Sequence, residues 1–274
     1  MCIRDSGKLG DLFAFKQDHI FKDWDDVKAN ANNRYDAIGE LYGPAAWEAL
    51  KDKAGKQPIE PGDVCWADLN NDGVINNLDR VKVGNLFPTV TGGFSTTLGY
   101  KDFSLYARFD YALGHTLYND LAARSLGQYQ GSFNIIDMVK DSWSETNQNT
   151  DIPKFYYADQ LSKKNITRSN NGLTAVDNNS SRFYEKGDYL ALREITLTWN
   201  LPKKWINKAL MSNASVYVTG QNLFYITGYT GVSPEPAVDT TYGQGLDNGR
   251  YPTPKTVLPV SYTHLRAHET LRHL

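Results

Sequence analysis

The sequence has little sulfur and no long apolar stretch. Of 274 residues, two are cysteine and three are methionine. Cys2 and Cys65 stand in no zinc-ligand spacing and beside no histidine, which excludes a disulfide framework, a zinc ribbon and a local Cys–His nucleophile. Cys65 therefore reads as a lone packed thiol. No run of 18 or more apolar residues occurs, so no transmembrane helix is expected. A strand-built membrane protein stays open, because alternating strands keep mean hydropathy modest. The net charge of -2 supplies no basic surface and excludes nucleic acid as a partner. Among the five histidines, His19 and His115 have no Ser, Cys or metal partner in motif context, so nothing supports an enzyme. Met1 is followed by Cys2, Ile3, Arg4 and Asp5 without an apolar core. The leader of an exported protein is expected upstream of this start.

Aromatic residues are abundant instead: 17 Tyr, 11 Phe and 6 Trp. Aromatic-rich, methionine-poor composition suits strands better than helical bundles. The two ends differ from what lies between them. The opening MCIRDS and the closing SYTHLRAHETLRHL lack strand alternation and cap or turn logic, and resemble translated adapter read-through. Residues 1–6 and 259–274 are set aside as foreign, leaving 7–258 as the protein proper.

The clearest local signal is a hairpin. Phe94, Thr96, Leu98 and Tyr100 alternate with Ser95, Thr97 and Gly99. After Lys101-Asp102, Phe103, Leu105, Ala107, Phe109 and Tyr111 alternate with Ser104, Tyr106, Arg108 and Asp110. Period two on both sides of a two-residue connection predicts an antiparallel pair. With their edges the strands are about nine to eleven residues long, the length of a tilted membrane-crossing strand. Further strands are expected near 9–17, 189–201, 214–225 and 251–258, six in all in one curled, open sheet. Phe94, Leu98, Leu105, Phe109, Ile195, Leu197, Val216 and Val218 should share one face. Ser95, Thr97, Arg108, Asp110, Glu194 and Thr198 should share the other.

Short helices are expected in DWDDVKANA and GPAAWEALKDKA, which have acidic starts or helical spacing, and after Pro202. The connections at 101–102 and 202–213 are short, whereas 17–90, 112–188 and 225–250 are long and polar. Outer-membrane barrels have this asymmetry of tight periplasmic turns and long extracellular loops. Tyr100, Phe103 and Trp199 fall beside the short connections, where an aromatic girdle belongs. The fold class is thus all-β: strands of a transmembrane antiparallel barrel with long extracellular loops and short helices. The competing reading is a secreted calcium-binding, carbohydrate-binding β-sandwich, since alternation alone has the same period in both.

One segment carries ligand chemistry. Asp68, Asn70 and Asp72 occupy positions one, three and five of an EF-hand-type loop, with Gly73 at six, the Val74 carbonyl at seven, Ile75 at eight and Asp79 at twelve. Oxygen donors at alternate residues can wrap a Ca²⁺ ion, and Gly73 permits the sharp turn. Asp79 replaces the usual twelfth-position Glu, as in dockerin-type loops. The alternative is a metal-free Asn-Asp-Gly turn.

Several motifs in order resemble the C-terminal region of SusC/RagA-type TonB-linked outer-membrane proteins. They are Gly62-Asp63, Asp68 to Gly73, Gly84-Asn85 with Pro88, and Thr91 to Phe94. A second group comprises Arg182, Glu185, Gly187, Tyr189, Leu190, Leu192 and Arg193. The last are Gly220 to Phe224, Pro234-Glu235, and Tyr251-Pro252 with Pro254-Lys255. The likeness covers roughly 7–258. It departs from the family's pattern at Cys65 and in lacking the aromatic C-terminal strand. The resemblance implies an importer of large nutrients, glycans or peptides, in the Gram-negative outer membrane. It further implies a SusD-type surface lipoprotein as lid, and coupling to the TonB complex through an N-terminal plug absent from this sequence.

Overall fold

The computed structural model describes residues 7–30, 35–36, 59–72, 74–75, 77–128, 134–156, 165, 180–208, 211–235, 245–247, 249 and 251–265. The chain divides into two compact units. One comprises Thr89–Leu113, Asp188–Gly228 and Tyr251–Leu274; the other comprises Met1–Pro88, Gly114–Gly187 and Tyr229–Arg250.

The first unit is a single antiparallel sheet of β7 (Val90–Tyr100), β8 (Phe103–Leu113), β11 (Tyr189–Asn200), β12 (Met211–Thr227) and β14 (Thr256–Leu265). Its order is β14-β12-β11-β8-β7, open at both edges. β7 and β8 are each 11 residues long. At about 3.3 Å per residue and a tilt near 40°, such a strand rises about 25 Å, the height of an outer-membrane apolar band. The predicted hairpin is present: Lys101 makes the turn at φ 52° and Tyr100 pairs with Phe103. The second short connection holds α3 (Lys203–Lys208), as expected after Pro202.

Cross-strand register tests the face assignment directly. Leu98 pairs with Leu105, Leu105 with Leu197, and Leu197 with Val218. Phe94 pairs with Phe109, and Ala107 with Ile195. Opposed residues share a face, so the predicted apolar set lies together. On the other face Ser95 meets Arg108, Arg108 meets Glu194, and Glu194 meets Gln221. A bulge at Leu192–Glu194 leaves Arg193 as the extra residue, and the β12 register is offset in step at Asn222, which has φ 52°.

Three expectations are corrected. Among the described residues the sheet has five strands, and β1 (Asp11–Phe15) is not one of them: it pairs with β6 (Arg80–Asn85) in a separate two-stranded sheet. Consecutive burial of Ala14 and Phe15 explains this, since a barrel-wall strand alternates and this one does not. The last strand begins at Thr256, not 251: Pro252 and Pro254 withhold donors at two alternate positions in a row, whereas the single Pro259 is tolerated because β14 is an edge strand. It continues through 258 to Leu265, paired along β12. The described parts of the stretches expected as plain loops belong to the second unit.

That unit contains β2 (Gln17–Ile20), paired with β4 (Val64–Trp66), and α1 (Trp24–Asn30), one of the helices expected from the sequence. It also contains the short β3 (Tyr35–Asp36) beside β5 (Val74–Ile75), and β9 (Thr116–Asn119) between β10 (Tyr184–Lys186) and β13 (Leu246–Asp247). The helix expected in GPAAWEALKDKA lies outside the described residues. One core gathers Tyr118, Ala123, Leu126, Ile152, Phe183 and Leu246, with Ala123 in α2 (Asp120–Ala123). Two smaller clusters are Phe21, Val27, Ile59 and Cys65, and Phe15, Val64, Trp66 and Ile75. Each fully buried large apolar side chain contributes about 1.5–3 kcal/mol. Among the described residues no helix is long and apolar enough to cross a membrane.

Candidate functional site

The five-stranded sheet presents two chemically distinct faces. On the apolar face Phe94 is 53% exposed, Leu98 61%, Leu197 50% and Ile226 62%. A soluble sheet buries such a surface, so its contiguity marks a face built for apolar surroundings. Its edge beside the short connections is aromatic. Tyr100, Phe103 and Trp199 align in register, Phe103 stacks on Trp199 with centroids 6.0 Å apart, and Trp205 meets Trp199 edge-on at 5.9 Å. Lys101 Nζ lies 5.3 Å from the Tyr100 ring centroid. This is the girdle expected from the sequence, with Trp205 added to it from α3.

The polar face carries a hydrogen-bonded network. The bulge turns Arg193 toward Asp110, whose Oδ2 accepts from Nε at 2.9 Å, and Arg193 Nη1 donates to Tyr225 Oη at 3.2 Å. Thr196 and Thr219 hydroxyls lie 2.9 Å apart, and Thr196 Oγ1 donates to Glu194 at 3.2 Å. A face of charge, hydroxyl and phenol opposite one of Leu, Phe and Val suits a wall between lipid and an aqueous lumen.

The motif residues of the second unit are positioning groups. Glu185 is a clamp: Oε1 accepts from Asn119 Nδ2 at 3.0 Å and Thr230 Oγ1 at 2.7 Å, while Oε2 accepts from the Thr230 amide at 2.9 Å. Arg182 pairs with Asp151 at 3.0 Å. Gly187 faces the His115 ring so closely that any Cβ would collide with it. His115 is buried and its Nε2 lies 2.9 Å from the Pro234 carbonyl, a structural tie. Burial, together with the 2.8 Å hydrogen bond from Tyr229 Oη to Asp247, raises the Tyr229 phenol above its ordinary range. Gly62 has φ +95°, and the buried Asp63 accepts from the Glu60 amide and Asn165 Nδ2.

In the predicted calcium loop, Asn70 and Asp72 form a hydrogen-bonded turn. Asn70 Oδ1 accepts from the Asp72 amide at 3.1 Å, and Asn70 Nδ2 donates to Asp72 Oδ2 at 2.8 Å. Asp79 is fully buried and its Oδ1 accepts from the Leu69 amide at 2.9 Å. Val74 lies in β5, paired with Tyr35, while Gly73 falls outside the described residues. Among the described residues the carboxylate, imidazole and thiol groups that converge within 4.8 Å are those of Asp18, His19 and Cys65. The expectation that Cys65 and His19 stand apart is thereby corrected: β2–β4 pairing sets them opposite each other. Their separation in sequence hid it.

No family model matches the chain. It is 32% identical over 234 residues to TonB-dependent receptor P3 of Formosa agariphila, covering 81% of this chain and 21% of that protein. It is 30% identical over 209 residues to TonB-dependent receptor P26 of the same organism, covering 74% of this chain and 19% of that protein. The chain thus spans about a fifth of the length of these curated relatives. A solved structure of the RagAB peptide transporter matches at 26% identity and TM-score 0.51, covering 67% of this chain and 18% of that one. The RagAB peptide importer in its "closed-closed" state matches in fold at TM-score 0.52 and 23% identity, over 73% of this chain and 20% of that one. Fold and sequence together define a TonB-dependent receptor. Within that class the chain is of the SusC/RagA type.

Proposed function

We propose that this chain supplies wall strands and extracellular loops to an outer-membrane, TonB-dependent importer of large nutrients, glycans or peptides. The observation that carries this reading is the two-faced sheet. Its apolar face is exposed and edged by aromatics, and its polar face is lined by Arg193, Asp110, Tyr225, Glu194 and the threonines. The strands supply scaffold and no bond-making chemistry. In the assembled receptor a SusD-type lipoprotein lids the loops, and a plug domain transmits force from the TonB complex. The RagAB likeness favours peptide cargo. The sandwich alternative is disfavoured by the exposed apolar face, which a sandwich would bury between its sheets.

The Asp68–Asp79 loop belongs to the same reading as a Ca²⁺ site of Asp68, Asn70, Asp72, Asp79 and the Val74 carbonyl. Its support is the spacing of oxygen donors and the turn already formed at Asn70–Asp72. Binding would require the Asn70 amide to release Asp72 Oδ2 and present oxygen instead. The role would be to pin an outer loop.

The transport reading is tested by uptake. A Gram-negative host lacking its own importer of this type, given the receptor and its lipoprotein, should take up oligopeptides only with an intact TonB complex. Uptake that persists without TonB would sink it.

A further inference from the structure

The second unit brings together three metal-ligating side chains of different chemistry, and the transport reading uses none of them. Asp18, His19 and Cys65 each place a ligand atom within 4.8 Å of the others. A thiol, an imidazole and a carboxylate form a borderline-soft set that suits Zn²⁺-class cations and not Ca²⁺.

The surroundings orient the imidazole. His19 Nδ1 lies 2.8 Å from Asp18 Oδ2, and Nε2 lies 3.2 Å from Asp26 Oδ1. Asp26 is held in turn: the Lys22 amide donates to its Oδ2 at 3.0 Å and Asn30 Nδ2 to its Oδ1 at 2.7 Å. Each ring nitrogen thus faces a carboxylate; with Nε2–H given to Asp26, which is anchored from α1, an ion between Nδ1 and Asp18 Oδ2 takes the place of the proton they share. Metal-binding histidines are oriented by this carboxylate–imidazole arrangement. Phe21 meets the ring edge-on at 5.5 Å, fixing it further. A cavity of about 460 Å³, lined by Asp18, His19, Lys22, Asn149 and Asp151 among others, opens beside Asp18 and His19 and gives an ion access to those two ligands.

We propose that Asp18, His19 and Cys65 bind a zinc-class divalent cation, with Asp26 as the positioning residue behind His19 and solvent in the fourth position. Binding releases the Cys65 thiol proton to water and replaces any proton shared by His19 and Asp18. The ion ties β2 to β4 and, through Asp26, to α1.

The test uses detergent-purified receptor carrying this chain, stripped with a chelator and titrated with Co²⁺ and then Zn²⁺. Cobalt should produce a thiolate-to-metal charge-transfer band that stoichiometric Zn²⁺ abolishes and excess Ca²⁺ does not. Cys65→Ala should remove the band. Asp26→Asn should retain the band but weaken binding about 10–100-fold. Cys65 is packed against Phe21, Val27 and Ile59, so its variant disturbs a core. His19→Gln, at a half-exposed position, therefore serves as the second variant and should weaken binding at least about tenfold. No band in the native protein, a band that survives Cys65→Ala, or unchanged affinity in His19→Gln would overturn the proposal.

Discussion

Phe103 and Trp199 lie on neighbouring strands and stack with their ring planes 9° apart and centroids 6.0 Å apart, directly above the Lys101–Asp102 turn. Trp205 then closes on Trp199 from α3 at 84°. Three rings from three segments thus form one interfacial cluster. The aromatic pair adds about 0.5–1.5 kcal/mol beyond area burial. A double-mutant cycle with Phe103→Leu and Trp199→Leu, read by urea unfolding in lipid vesicles, should return a coupling in that range. Additive effects would show that the stacking is incidental.

The two sheet faces should respond oppositely to charge. Phe94 pairs with Phe109 near the middle of the apolar face, while Thr97 lies on the polar face. Phe94→Arg should cost about 2–4 kcal/mol near the bilayer midplane, and Thr97→Arg, on the polar face, no more than about 0.5 kcal/mol. Equal costs in a vesicle-folding assay would count against a lipid-facing surface.

Why the sheet was legible and its companion was not follows from these residues. β7 and β8 are long, adjacent in sequence and strictly alternating, so pairing and faces follow from period two alone. β9 is buried at all four positions and shows no alternation. β1 finds its partner β6 across some sixty intervening residues, and nothing local announces the pairing. The Asp18–His19–Cys65 cluster is likewise a product of β2–β4 pairing. The motif residues Arg182, Glu185 and Gly187 were visible as a pattern, but their ties to Asp151, Asn119, Thr230 and His115 appear only in three dimensions.

Glu185 offers a sharper test than charge removal. Both its oxygens accept, from Asn119 Nδ2, Thr230 Oγ1 and the Thr230 amide. A glutamine must turn its NH₂ toward one of these donors whichever way the amide is set. Glu185→Gln should therefore destabilise nearly as much as Glu185→Ala, about 1–3 kcal/mol, by leaving a donor unsatisfied. A near-neutral Gln variant in thermal denaturation would refute the clamp.

Acid should weaken the β1–β6 pair. Lys82 Nζ lies 2.8 Å from Asp11 Oδ1 and Asn85 Nδ2 donates to the same oxygen at 2.8 Å, holding the carboxyl down to about 2 from its ordinary 3.8. The folded value is the lower one, so this stabilisation is present above 3.8 and is lost as pH falls from there toward 2. Between about pH 6 and about pH 3 the native protein should lose more thermal stability than Asp11→Asn. Identical losses would remove Asp11 as a source of the pH dependence.

The Asp68–Asp79 loop sets spacing against geometry. The donor spacing matches a calcium loop, yet Asp79 Oδ1 already takes the Leu69 amide and Asp72 Oδ2 takes the Asn70 side chain. A site that must break a hydrogen bond to fill should be weak, in the range of extracellular modules, about 10⁻⁴–10⁻³ M. At about 5 mM Ca²⁺ such a site stabilises the folded state by about 1–2 kcal/mol, enough for a measurable rise in the thermal midpoint. Asp72→Ala removes one ligand oxygen pair and should abolish the rise. It should leave cobalt binding at Asp18, His19 and Cys65 untouched, which separates the two sites. Calorimetric titration with Ca²⁺ completes the test. No heat and no shift at several millimolar ion, in a protein whose Asp72→Ala variant melts at the same temperature, would leave the segment as the Asx turn formed by Asn70 and Asp72.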